Sequence, residues 1–179
     1  MSILLTNQIQ NLAGGVILRS SGSIIQIQST ILQSTFTTTS IITTLGGGAA
    51  VSGLSAAITP TSATNKILVM CSLNIMGQAN ASQSYAYLAR GTTPIGVGTS
   101  AGSRPGMGGR YYYPDSNVSG MIFMQFLDNP LTTNVLTYNV YVGTENASYT
   151  VYVNRTQSDS DALNGARTSS VLTLMEVAA

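Results

Sequence analysis

The chain has no histidine, no tryptophan and one cysteine among its 179 residues. Without histidine the commonest general base is missing, so catalytic triads built on it are excluded. With a single thiol as well, zinc centres made from Cys and His are excluded. Cys71 has no partner for an intramolecular disulfide. In the apolar run KILVMCSL (66–73) it reads as a buried free thiol acting as a small hydrophobe. Charge is scarce too, at 7% of residues against 44% hydrophobic. Disorder shows the reverse balance, so this chain folds. A formal net charge of +1 supplies little colloidal repulsion, which implies a surface partly covered by copies of itself or by a larger assembly. The seven basic residues are scattered rather than gathered into a stripe, which argues against capture of nucleic acid. No run approaches the ~20 apolar residues of a transmembrane helix, and MSILLTNQIQN lacks the basic start of a secretory leader. The glycosylation-type tripeptides at Asn80, Asn117, Asn146 and Asn154 read as chance in a chain rich in Asn, Ser and Thr.

What is present is strand after strand. SIIQIQSTIL (23–32) alternates in part, and TFTTTSIITTL (35–45) carries the β-branched residues that suit a pleated surface. GGGAAVSG (46–53) reads as a flexible connection, and LSAAITP (54–60) as a short strand. KILVMCSLNIM (66–76) has the continuous apolar character of a central strand buried on both faces. SYAYLARG (84–91) and TPIGVGTS (93–100) form a pair. The Gly-rich stretch 101–120 contains Pro105 and Pro114 and is expected to hold no regular element. MIFMQFLD (121–128), VLTYNVYVG (135–143) and SYTVYVNR (148–155) follow, with TENA (144–147) as a hairpin loop between the last two. In the final strand, SSVLTLMEV (169–177), Leu172, Leu174 and Glu176 share one face and Val171, Thr173, Met175 and Val177 the other. Roughly nine or ten short strands with regular turn signals predict an all-β antiparallel sandwich or jelly roll. Residues 1–22 break this pattern and read as an attachment arm, with Ile3, Leu4, Leu5, Ile9 and Leu12 as its contact residues; residues 23–179 form the head.

Several segments resemble one family. AAITPTSATNKILVMCSLN (56–74), LARGTTPIGVG (88–98), FLDNPLTTNVLTYNVYV (126–142), VYVNR (151–155) and TSSVLTLMEVAA (168–179) are similar to stretches of virion proteins of tailed phages. These are common in phages of aquatic bacteria, cyanobacteria included, and are structural or fibre-like. The opening LTNQIQNLAGG (5–15) resembles the start of their fibre-type members. The resemblance implies a homotrimeric jelly-roll module, similar to tumour necrosis factor-like heads, displayed on a virion. It supplies no catalytic residues, and the insert RPGMGGRYYYP (104–114) departs from the family pattern.

The closing loop is the first candidate site. Asp159 and Asp161, with nearby hydroxyls and amides, offer oxygens to Ca²⁺, but the six to eight ligands and the closing Glu of such a loop are not there. Two carboxylates at i, i+2 on one loop also lack the apolar pocket that glycoside hydrolysis needs. Solvated loop acids are the plainer reading, with Arg155 and Arg167 bracketing them as ion-pair partners. The second candidate is the insert, where Arg104, Arg110, Tyr111, Tyr112 and Tyr113 combine the residue types enriched at recognition hot spots. Its uses would be stacking on sugars of a host surface or contact with a neighbouring virion protein; the bland alternative is a Tyr cluster packed on its own sheet. Its glycines make no phosphate loop, lacking the Lys-Ser/Thr and a following helix. Phe123, Phe126, Tyr138, Val140, Tyr152, Leu172 and Leu174 read as core and intersubunit packing around a threefold axis.

No cofactor or metal is expected and no enzyme, since bases, acids and nucleophile motifs are wanting. A free carbohydrate-binding module is disfavoured by the absence of Trp. The leading expectation is a virion structural protein with itself and a coat or other virion protein as partners. Within that class, a capsid decoration or cement protein competes with a short tail or collar fibre that reads host glycans. An arm of about 22 residues without heptads or shaft repeats favours decoration.

Overall fold

The computed structural model describes residues 20–78, 83–113 and 115–179. The arm residues Ile3, Leu4, Leu5, Ile9 and Leu12 lie outside the described part. Eleven strands are present there: β1 (Ile24–Leu32), β2 (Phe36–Thr38), β3 (Ala49–Ile58), β4 (Lys66–Gly77), β5 (Gln83–Arg90), β6 (Thr93–Ile95), β7 (Gly109–Tyr112), β8 (Gly120–Asp128), β9 (Leu136–Thr144), β10 (Val151–Val153) and β11 (Ser170–Val177). One turn of 3₁₀-helix, Leu163–Gly165, interrupts the last loop.

The strands form two antiparallel sheets facing each other. In the first, β4 is central, with β8 along one edge and β11 along the other, and β1 lies outside β11. Beyond the reach of β11 the short β10 takes over the edge of β4, with β2 outside it. The second sheet runs β3-β9-β5, and β5 shares its far edge between β7 and β6. The eight longer strands therefore run β1-β11-β4-β8 and β3-β9-β5-β7, the double-sheet winding of a jelly roll.

Alternation explains the core. From β4, Ile67, Val69, Cys71, Leu73 and Ile75 point between the sheets; β9 answers with Tyr138, Val140 and Val142, and β11 adds Leu172 and Leu174. Burial pushes the Cys71 thiol up to about 12. The alternate residues of β4, Leu68, Met70, Ser72 and Asn74, are only half-buried. The strand is central, but a single copy covers just one of its faces.

Three other segments differ from the sequence expectation. The β-branched run 35–45 is strand only at β2, because the chain then crosses the end of β9. Ser40 and Ile42 exchange backbone hydrogen bonds with Thr144 there. Ile42 presses so close to Gly143 that a Cβ on Gly143 would lie 2.6 Å from the Ile42 side chain. The supposed flexible stretch 46–53 instead begins β3, which pairs with β9 across a bulge between Ala50 and Ser55. Residues 144–147 do not close a hairpin, since β9 and β10 belong to opposite sheets. Both edges of β9 are already taken by β3 and β5, so the chain must cross the sandwich to find the open edge of β4.

Polar groups inside the sandwich are few and mostly engaged; among the described residues only the buried hydroxyls of Ser84 and Thr168 lack a hydrogen-bond partner. Asp128 on β8 reaches across to the other sheet, where it takes Arg90 Nη1 at 2.9 and 3.1 Å and the Tyr138 hydroxyl at 2.7 Å. Asn154, at φ 60°, donates to the carbonyls of Leu32 and Ser34 and accepts from Ser170 Oγ. Asn tolerates the left-handed region better than most residues, and its amide supplies both donors. The Asn154 tripeptide is thereby committed to the fold.

Glu176 is the buried acid that pairs with no cation among the described residues. Its carboxylate accepts Asn65 Nδ2 at 2.6 Å, Gln26 Nε2 at 2.6 Å, and the Thr61 amide and hydroxyl at 2.7 and 2.8 Å. Burial pushes its pKa up, but the hydrogen bonds from Asn65, Gln26 and Thr61 outweigh that and hold it below the ordinary value of 4.5. A depressed folded-state pKa stabilises the fold above the unfolded value and is lost as pH falls through the folded one. Stability to urea is therefore expected to fall as pH drops below 4.5, and Glu176→Gln is expected to flatten that slope while costing about 1–3 kcal/mol at pH 7. An unchanged slope in the variant would show that another carboxylate governs acid unfolding.

Candidate functional site

The closing loop is tied down rather than open. Arg167 grips Asp159 with two bonds, Nε to Oδ1 at 3.1 Å and Nη2 to Oδ2 at 2.9 Å, and Arg155 Nη1 adds a contact at 3.4 Å. The bond from Arg167 is the first reason that the Asp159 carboxyl titrates below its ordinary value. Arg155 also lies over the ring of half-buried Tyr152, 4.9 Å from its centroid, and donates to the carbonyls of Thr156 and Gln157. Both oxygens of Asp159 are thus committed to guanidinium groups, which leaves no pair of free carboxylates for Ca²⁺. Asp161 is exposed at the rim of a shallow hollow that Asp159, Ser160 and Arg167 also line. Among the described residues no three of Cys, His, Asp and Glu gather as metal ligands would.

The insert is more ordered than its glycines and prolines suggested. Ala101 and Arg104 exchange two backbone hydrogen bonds, Gly98 N–H reaches the Met107 carbonyl, and β7 follows, paired with β5. Gly106 is buried with the backbone of Gly98 and Ser100 occupying the space of a Cβ, so this loop closes on itself only with glycine there. The three tyrosines part company. Tyr113 is fully buried and donates its hydroxyl to the Ile75 carbonyl on β4. Tyr111 packs against it, ring centroids 4.6 Å apart. Tyr112 stands out at 54% exposure, and Tyr111 is itself exposed at 37%. Tyr113 therefore does not belong to a binding surface; the alternation along β7, invisible in a bare Tyr-Tyr-Tyr run, sends the neighbours to opposite sides.

Arg110 stands directly opposite Tyr85 of β5 on the outer face of the second sheet. With Arg104, Pro105 and Met107, the two line an open cleft of about 360 Å³. Arg110 donates to Gln83 Oε1 at 2.7 Å and Arg104 Nε to the Ala101 carbonyl at 3.2 Å. Neither is in an ion pair among the described residues, whereas Arg90, Arg155 and Arg167 all are. Glu145, whose charge acts on Tyr85, accepts the backbone N–H of Gln83 at 3.0 and 3.1 Å. Behind the cleft, Tyr87 and Tyr141 stack at 5.1 Å, and Tyr87 donates to the Gly47 carbonyl. Tyr85 itself was not among the residues singled out from sequence; its partner in register, Arg110, was.

The outer face of the first sheet is of another kind. Register aligns Ile27, Met175, Leu68 and Leu127 in one row across four strands, then Ser29, Thr173, Met70 and Gln125, then Ile31, Val171, Ser72 and Phe123. Ile27, Ile31, Met121, Phe123 and Leu127 are each exposed by 46–58%. None of these positions is charged, and Lys66, paired with Val177, stands at the end of the face. Phe123 is therefore an outward residue, while Tyr138, Val140, Leu172 and Leu174 are core and Phe126 packs against them.

Fold and surfaces together define an all-β jelly-roll sandwich with one apolar outer face and one arginine-lined cleft. No protein-family model matches the chain, and no curated protein matches it. Among solved structures it is similar to the VP2 subviral particle of infectious bursal disease virus, at 11% identity and a TM-score of 0.42. It is also similar to the structure of the Gx strain of that virus, at 10% identity and a TM-score of 0.40. It spans 42% of the length of each of those chains. Likeness this distant carries no function across.

The split of the tyrosines is measurable. Tyr113→Phe is expected to cost about 1–2 kcal/mol in urea unfolding, because it strands a buried carbonyl. Tyr112→Phe is expected to stay within about 0.5 kcal/mol of the parent, as surface changes do. Equal effects would overturn the assignment of Tyr113 to the core.

Proposed function

We propose that the chain is a structural protein of a virus particle that assembles as a homotrimer through the outer face of its first sheet and serves as a capsid decoration or cement protein. The observation that carries this reading is the charge-free face of Ile27, Leu68, Phe123, Leu127 and Met175. Four strands about 4.8 Å apart and some nine residues long give it a plan area on the order of 500 Å². That lies toward the upper end of what monomers leave exposed. It is also more than half of the ~800 Å² that each partner brings to a standard interface. A second copy fits such a surface without burying an unpaired charge, which would be costly. The sequence resemblance to phage virion proteins and the low charge of the whole chain support the same reading.

A second reading is a short fibre or collar head that recognises host glycans. The cleft between Arg104 and Arg110 favours it, as an open, cationic surface on the opposite sheet.

Light scattering at micromolar concentration is expected to give a trimer, and Phe123→Glu a folded monomer, because a charge would then have to be buried in each interface. A parent monomer, or a variant that stays trimeric, rejects the face as the interface. Chain lacking residues 1–22 is expected to keep the trimer but fail to join particles. Incorporation at the normal level would remove the arm as anchor.

A further inference from the structure

We propose that the cleft formed by Tyr85, Arg104, Pro105, Met107 and Arg110 binds a carboxylate-bearing sugar of a surface polysaccharide. The proposal rests on the second reading above and gives its ligand a chemical class. The described chain has six Lys and Arg residues, of which Arg90, Arg155 and Arg167 are neutralised by carboxylates. Of the remaining three, two line this one cleft. In a chain with so few charges, two guanidiniums that make no ion pair among the described residues stand at one place, although the Glu145 carboxylate also acts on Tyr85, against Arg110.

Each guanidinium is oriented by one neutral acceptor, Arg110 by Gln83 Oε1 and Arg104 by the Ala101 carbonyl. Among the described residues their other N–H groups have no acceptor and can grip an anion in the forked geometry that matches a carboxylate. No acid lines the cleft among the described residues, and Glu145 is engaged with the Gln83 backbone. The remaining walls are apolar or aromatic: Met107, Pro105 and the half-buried ring of Tyr85. A bare inorganic anion has no use for such walls, whereas a sugar ring lays its C–H face against them while its carboxylate meets the arginines. The loop is also pre-shaped by the Ala101–Arg104 bonds and the close contact at Gly106, so little ordering is needed on binding. A volume of about 360 Å³ lies at the small end of ligand clefts and suits one or two sugar units.

The test is calorimetric titration of the full chain with an oligogalacturonate and a sialylated trisaccharide, each beside its neutral methyl ester, and with inorganic phosphate. At least one acidic sugar is expected to bind, about tenfold or more tighter than its ester, and to weaken as salt is raised to ~0.15 M. Arg104→Ala and Arg110→Ala are expected to weaken it by a similar factor, and Lys66→Ala to leave it unchanged. Both arginines are exposed, and circular dichroism checks that the variants remain folded. Equal binding of acid and ester would overturn the acidic class but keep the glycan head. Binding of phosphate as tight as that of the sugar would reduce the cleft to an anion site and overturn the proposal. Binding of no sugar at all would overturn both the proposal and the reading beneath it.

Discussion

The inner face of β4 carries the sandwich. Ile67, Val69, Cys71, Leu73 and Ile75 are essentially inaccessible to water, and they stand where the two sheets meet. Both long edges of the strand are also occupied, by β8 on one side and by β11 and then β10 on the other. One strand therefore sets the register of its whole sheet and supplies much of the apolar layer on which the second sheet rests. Truncating Leu73 to Ala would open a cavity there at about 2–5 kcal/mol, a large part of the stability of a domain this size.

Around that layer the few charges are placed economically. Asp128 joins the sheets through Arg90 and Tyr138, Asp159 joins two ends of the closing loop through Arg155 and Arg167, and Glu176 gathers the turn at Thr61 and Asn65. Pairing and burial of this kind engage six of the twelve charged residues described. What stays outside is then uneven: an uncharged apolar face on one sheet and, on the other, two arginines that make no ion pair among the described residues.

Much of this could be read from the sequence, and the failures have physical causes. Strands with clean period-two alternation, such as those containing Tyr138 and Leu172, were legible because burial on one face leaves a pattern in the residues themselves. The partition of β9 and β10 between sheets was not, since strand pairing depends on which edges are already filled and no local residue records that. Cys71 was legible from its apolar neighbours. The buried polar roles of Asp128, Asn154 and Glu176 were not legible, although Glu176 was placed on the face of Leu172 and Leu174, because most of their partners lie far along the chain and an isolated Asp or Glu looks the same whether solvated or buried. At the candidate cleft, Arg104 and Arg110 stood out by residue type, while Tyr85 becomes part of it only through the pairing of β5 with β7.

The place of β11 has a consequence for how the chain comes together. The last strand described lies between β1, the first strand described, and β4. Asn154 reinforces the junction by bonding to Leu32, 122 positions earlier. The first sheet therefore cannot close until residues 170–177 have joined it. Until then Ile24, Ile27 and Ile31 wait without their native neighbours. Folding must proceed through contacts of high sequence separation, which places this jelly roll among the slow folders. The plain terminal segment SVLTLMEV acts as the closing stitch.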